Sequence, residues 1–128
     1  MFGSQNEKVV LVNLGSIAAD VAQYVALGCK AVVTGVHIVM SAAITASDTN
    51  YLGLTVKNVE QGSGTTVLGE LDSRAAHENG LAAKTVEALN LGTALTVESD
   101  DVIEVAADAN GTIAGDCVVA VTYTTTQA

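Results

Sequence analysis

The stretch Tyr51-Leu52-Gly53-Leu54-Thr55-Val56-Lys57-Asn58-Val59 decides the fold. Leu52, Leu54 and Val56 fall on every second position, with Thr55 and Lys57 between them. A period of two marks a half-buried β-strand, because successive side chains point to opposite faces of a sheet. Gln61-Gly62-Ser63-Gly64 follows and predicts a flexible hairpin connection into a second strand, Thr65 to Leu71.

Short apolar segments separated by turn residues continue in both directions, at the spacing of a sandwich or barrel. Towards the N-terminus, Lys30 to Met40 is rich in β-branched residues. Val32, Val36, Ile38 and Met40 are expected on one face, with Gly35 at a bulge or a close approach. Asp20 to Leu27 is ambiguous. Ser16 and Gly28 would cap and stop a helix, while Val21, Gln23 and Val25 also alternate as a strand, and the β-branched content favours the strand. Lys8 to Leu14 is a first strand ending at Gly15-Ser16.

Towards the C-terminus, strands are expected at Lys84 to Leu89, Ala94 to Glu98, Val102 to Ala106 and Cys117 to Thr124. Asp72 to Leu81 reads as a polar surface loop, and Asp108-Ala109-Asn110-Gly111 as a final hairpin turn. The total is eight or nine strands. No βαβ alternation is visible, so the sheets are expected to be antiparallel. Residues 1–16 read as an N-terminal arm and first strand, and residues 17–128 as a single β-sandwich domain.

Composition agrees with one domain and bounds its function. The chain has 128 residues, too few for two independent cores. Hydrophobic residues make up 49%, mostly Ala and Val, and mean hydropathy is +0.42. The aromatics are only Phe2, Tyr24, Tyr51 and Tyr123. Small side chains bury less area each, so the core should be thin and self-association is expected to help it. Proline is absent, where about six would be usual, so Gly, Asn, Asp, Ser and Thr must form the turns. A net charge of −9 repels nucleic acid and anionic membranes. Met1 to Glu7 has no basic region leading into an apolar stretch, and no apolar run reaches about 18 residues, so neither a signal peptide nor a membrane span is expected.

Few residues offer chemistry. Cys29 and Cys117 lack metal-ligand spacing and read first as reduced, hydrophobe-like thiols, with a disulfide between them as the alternative. His37 sits in an apolar strand and reads as a packed side chain, while His77 lies in a polar loop. Asp108, Asn110, Gly111, Thr112 and Asp116 echo the first half of a calcium loop. The distal bidentate Glu is missing, and Asn-Gly also suits a type I′ turn. Glu98, Asp100, Asp101 and Glu104 form the densest acidic group and read as a solvated edge. A glycosidase pair would need sugar-stacking aromatics, which are scarce here. No catalytic, cofactor-binding or metal-ligating residue is therefore assigned, and no enzyme activity is expected.

One segment carries a resemblance. Ala46 to Leu71, ASDTNYLGLTVKNVEQGSGTTVLGEL, resembles a pattern of small tailed-phage virion proteins: Thr49-Asn50-Tyr51 opening a strand, the Leu52 to Asn58 alternation, then Gly62 to Thr66. Leu91 to Ala107, LGTALTVESDDVIEVAA, resembles the same family's apolar strand, acidic turn and Val-Ile strand. The resemblance implies a β-sandwich or jelly-roll-like head decoration (cement) protein with no catalytic residues. It would sit on the phage head exterior, with the major capsid protein and other copies of itself, as a trimer, for partners. Residues 1–16, the 72–81 loop and the 108–116 hairpin are the expected contact elements. Other virion parts, or a host-glycan-binding module using an exposed aromatic, are the alternatives.

Overall fold

The computed structural model describes residues 7–60, 65–74 and 80–125. The 61–64 connection, His77 and the first six residues of the expected arm lie outside them. Ten strands run in chain order: β1 (Glu7–Ser16), β2 (Val21–Val25), β3 (Ala31–Met40), β4 (Tyr51–Val59), β5 (Thr65–Asp72), β6 (Val86–Ala88), β7 (Asn90–Leu91), β8 (Thr96–Val97), β9 (Val102–Asn110) and β10 (Asp116–Thr125). The ambiguous Asp20 to Leu27 segment is extended, and β2 pairs with β9 along its whole length.

Two antiparallel sheets enclose the core. One has the order β1-β10-β3-β6, with β8 on the same edge of β3 as β6; the other has the order β2-β9-β4-β5-β7. The first strand pairs with the last, β2 with β9, β3 with β6 and β8, and β4 with β5. The chain is thus one long hairpin folded over onto itself. That nesting is the double-sheet jelly roll.

Inward positions of both sheets build one cluster that includes Val36, Ile38 and Val119 from the first sheet and Leu52, Leu54 and Val105 from the second. β4 buries Leu52, Leu54, Val56 and Asn58 in strict alternation, as the sequence predicts. β3 departs from its expected face. Thr122 pairs with Gly35 and Tyr123 with Val33, so Thr34 is an extra residue. The bulge reverses the alternation: Ala31 and Val33 point inward with Val36, Ile38 and Met40, and Val32 does not. Gly35 is a close approach as well, because a Cβ there would stand 2.8 Å from Thr122 Oγ1.

Three further expectations are corrected. Lys84 does not open a strand: its φ of 55° places it in a turn, and β6 is confined to Val86–Ala88. Asp72 belongs to β5, while Ser73 and Leu81 are buried rather than exposed in a surface loop. The Ser73 hydroxyl accepts the Leu52 N–H at 2.8 Å, and Leu81 exchanges backbone hydrogen bonds with Ile44. Finally, Asp108 to Gly111 is not a hairpin turn. Asp108–Asn110 completes β9 in one sheet, and residues 111–115 carry the chain across to β10 in the other. Of Asp108 to Gly111, Gly111 alone takes positive φ, at 71°, so the type I′ geometry is absent.

Candidate functional site

The jelly roll leaves two outer sheet faces, and their chemistry is opposite. On the β1-β10-β3-β6 sheet, Val12, Leu14, Val119, Val121, Ile38 and Met40 point inward. The intervening residues therefore face out. Register aligns them in rows across the sheet: Leu11, Ala120, His37 and Ala88 form one, and Asn13, Val118, Val39 and Val86 the next. Leu11 is 67% exposed, Val86 65% and Val9 54%. The carboxylates on this face stand at its two ends, Glu7 and Asp116, where Glu7 accepts a hydrogen bond from the Thr34 hydroxyl at 2.9 Å.

The outer face of the β2-β9-β4-β5 sheet is charged. Glu104 and Lys57 are register partners, and Thr55 pairs with Glu70. Tyr24, 64% exposed, donates its hydroxyl hydrogen bond to Glu104 at 3.0 Å. That bond and the carboxylate charge raise the Tyr24 pKa above its ordinary value. Asp20 accepts the Ala109 N–H at 2.7 Å, and Arg74 pairs with Asp72 at 2.6 Å while lying 5.2 Å over the Tyr51 ring. Two shallow depressions meet at Thr55. One, of 510 Å³, runs past Ala106 towards Asp20 and Asp108; the other, of 330 Å³, runs towards Glu70, Arg74 and Asn90.

The residues weighed for chemistry are dispersed over this framework. His37 is half-buried on the apolar outer face rather than packed in the core, with Ala120 and Ala88 as its cross-strand neighbours. No base or acid stands opposite it in register. Glu104 faces outward beside Tyr24, whereas Asp101 is buried and accepts hydrogen bonds from Asn58 Nδ2 at 3.2 Å and from the Glu98 N–H at 2.9 Å. The expected solvated acidic edge is thus divided between surface and interior. Asp108 lies within β9 of one sheet and Asp116 opens β10 in the other, so the calcium-like spacing is split between the two sheets. Among the described residues, no three His, Cys, Asp or Glu side chains converge to hold a metal. A cleft of 440 Å³ lies between residues 42–50 and 112–114. Asn50 Oδ1 accepts the Thr112 N–H at 2.7 Å and ties the two loops together, while the Ser47 hydroxyl accepts the Asn50 N–H at 3.0 Å within the first loop.

Both thiols are free, Cys29 half-buried and Cys117 wholly buried in β10. Burial pushes the Cys117 thiol up to about 12. Since the thiolate is the reactive form, Cys117 is expected to resist a disulfide-exchange reagent at mildly alkaline pH while Cys29 reacts. Timed labelling should give one thiol in the native protein and the second only in denaturant.

Sequence reading missed the apolar outer face and the buried Asn58–Asp101 pair. Both left signals. Val9 to Val12 is apolar on consecutive positions, so both faces of β1 must be apolar. The alternation of β4 places Asn58 on the inward side with Leu52, Leu54 and Val56, where an amide needs a partner.

No family model and no curated protein matches the chain. Among solved structures it is similar to one titled "Structure of infectious bursal disease virus Gx strain", at 10% identity with a TM-score of 0.42. The match covers 95% of this chain and 33% of that one, so the chain spans about a third of its length.

Proposed function

We propose that this chain is a non-enzymatic structural protein of a phage virion, a capsid decoration (cement) protein that binds the outer head surface, bridges capsomers and stabilises the shell. The observation that carries the reading is the opposition of the two outer faces. One is mainly apolar between its ends, interrupted by Asn13, His37 and Thr122, and the other is acidic. A free-standing monomer gains nothing from an apolar sheet face in water, since large exposed apolar patches mark interaction sites. A subunit of an assembly needs one face to bury, here against another copy of itself, and another to keep it in solution until it assembles.

The jelly-roll topology is compatible with this role, since viral capsid and lectin domains both use it. Fold alone does not assign a function, so the phage placement rests on the resemblance of the Ala46 to Leu71 pattern. The partners are the major capsid protein, reached through the end loops, and further copies of the chain. Many weak contacts linked in this way sum to a strong clamp.

A glycan-binding module is the second reading, favoured by one observation. Tyr24 is exposed beside Glu104 on a polar sheet face. An aromatic ring and a carboxylate offer a sugar a stacking surface and a hydrogen-bond acceptor.

The test is to mix purified protein with undecorated heads and image them by electron cryomicroscopy. Ordered density on the outer shell is the expected result. Density on tails alone, or none on heads, would sink the decoration role, and saturable binding to a glycan lost in Tyr24→Ala would favour the second reading.

A further inference from the structure

We infer that the outer face of the β1-β10-β3-β6 sheet docks a second copy of this chain, sheet against sheet, as a two-fold dimer. The inference deepens the self-association part of the proposed function and rests on it, whatever the protein's place on a virion.

The area suffices. Three strands of ten residues, about 4.8 Å apart, with the five residues of β6 and β8 along the fourth edge, give roughly 550 Å² per copy. Two such faces bring about 1,100 Å² together, which clears the ~1,000 Å² expected of a specific interface.

Charge selects the occupant. Each copy carries −9, so two copies can approach closely only where carboxylates are absent. That place is the middle of this face, around Leu11, Val39, Val86, Val118 and Ala120, with Glu7 and Asp116 held at its ends. With these faces in contact, the two acidic faces lie on opposite outer sides of a four-sheet stack, about 30 Å or more apart. Screening at physiological salt acts over about 8 Å, so their repulsion across the dimer is small. A basic partner would find its complement on the acidic sheet instead, beside Glu104, Glu70 and Asp108.

Symmetry gives the number. An apolar face that meets itself is isologous and closes at two. The trimer expected from the sequence would need a second patch on each subunit, complementary to the first, and the other outer sheet face is acidic.

Sedimentation velocity over about 1 to 100 µM is the test, because mass action drives a dimer as concentration rises. The expected mass is twice 12.9 kDa. The association should hold or tighten as salt is raised, since only like-charge repulsion is screened. Leu11→Glu and Val86→Glu, at the two most exposed apolar positions of the face, should each weaken dimerisation by roughly 10-fold or more. Their circular dichroism should match the parent, because neither side chain enters the core, and Lys57→Glu on the opposite face should remain dimeric. A wild-type monomer at the highest concentration overturns the inference. So does a dimer indifferent to both face variants, or one that dissociates as salt is raised. Head binding is scored separately. A monomer that still decorates heads sinks the dimer alone, and a dimer that never binds heads sinks the decoration role alone.

Discussion

Leu54→Ala is expected to lower the free energy of unfolding by about 3 to 4 kcal/mol, the middle of the range for deleting a buried leucine. The position explains the size. Leu54 is fully buried in the middle of β4, a central strand flanked by β9 and β5. Its register partners are Ala107 and Leu71. Ala107 is too small to swing into the vacated volume, and the ladders on both sides of β4 hold the backbone in place. The cavity therefore stays open, and the lining side chains lose contacts they cannot remake. Among the described residues the core has no aromatic to spread the loss, since its members are Val, Leu and Ile with Met40, Ala107 and Cys117.

A domain of this size has about 5 to 15 kcal/mol in total, so the loss is a large fraction of it. Urea titration should show a lower midpoint with an unchanged slope, because the surface exposed on unfolding barely differs. A loss below about 1 kcal/mol would mean that the two sheets close over the gap and that the sandwich is far softer than its register implies.

The contrast between β4 and β3 shows what the sequence makes legible. β4 keeps strict alternation from Tyr51 to Val59, so its buried face follows from the residues alone. In β3 the Thr34 bulge inserts one residue, and every assignment before it changes face. Nothing local marks Thr34 as the extra residue, although Gly35 beside it marks the irregularity. The bulge is defined by pairing with β10, which lies some ninety residues away in the chain.

The crossing between β9 and β10 was hidden for the same reason. Asp108-Ala109-Asn110-Gly111 has the composition of a hairpin turn, and composition reports that the chain changes direction. Whether it returns within its own sheet depends on partners. β9 is held between β2 and β4, and β10 between β1 and β3, so the chain has to change sheets. The apolar outer face was hidden differently. A run such as Val9 to Val12 shows that both faces of a strand are apolar, but only the assembled sheet reveals that Leu11, Ala120, His37 and Ala88 lie in one row.

Asp101→Ala is expected to cost about 3 kcal/mol, more than most core truncations of Val in this fold, although the residue does no chemistry. Asp101 is buried, and one carboxylate oxygen accepts from both Asn58 Nδ2 and the Glu98 N–H, at 3.2 and 2.9 Å. Its own N–H donates to the Glu98 carbonyl at 3.1 Å, which closes the turn entering β9. Asn58 also reaches the Thr96 carbonyl at 3.4 Å. Asn58 lies in one sheet and Thr96 in the other, so this group is a polar tie between the two layers. Removing the carboxylate leaves the amide with only the long Thr96 contact and the half-buried Glu98 N–H without its acceptor, and each donor that loses its acceptor away from water costs about 1 to 3 kcal/mol.

Asn58 Oδ1 is itself buried without a partner, so the amide depends on its donor side for compensation. The pair should therefore be strongly coupled. In Asn58→Leu/Asp101→Ala the orphaned amide is gone, and the double variant should lose clearly less than the sum of the two single losses, by about 1 to 2 kcal/mol. Asp101→Asn keeps an acceptor oxygen but not the charge, and it should fall between the parent and Asp101→Ala. Urea unfolding of the four proteins measures the coupling directly. Additive losses would mean that water reaches Asn58 when Asp101 is removed, and that burial there ends with the carboxylate that seals it.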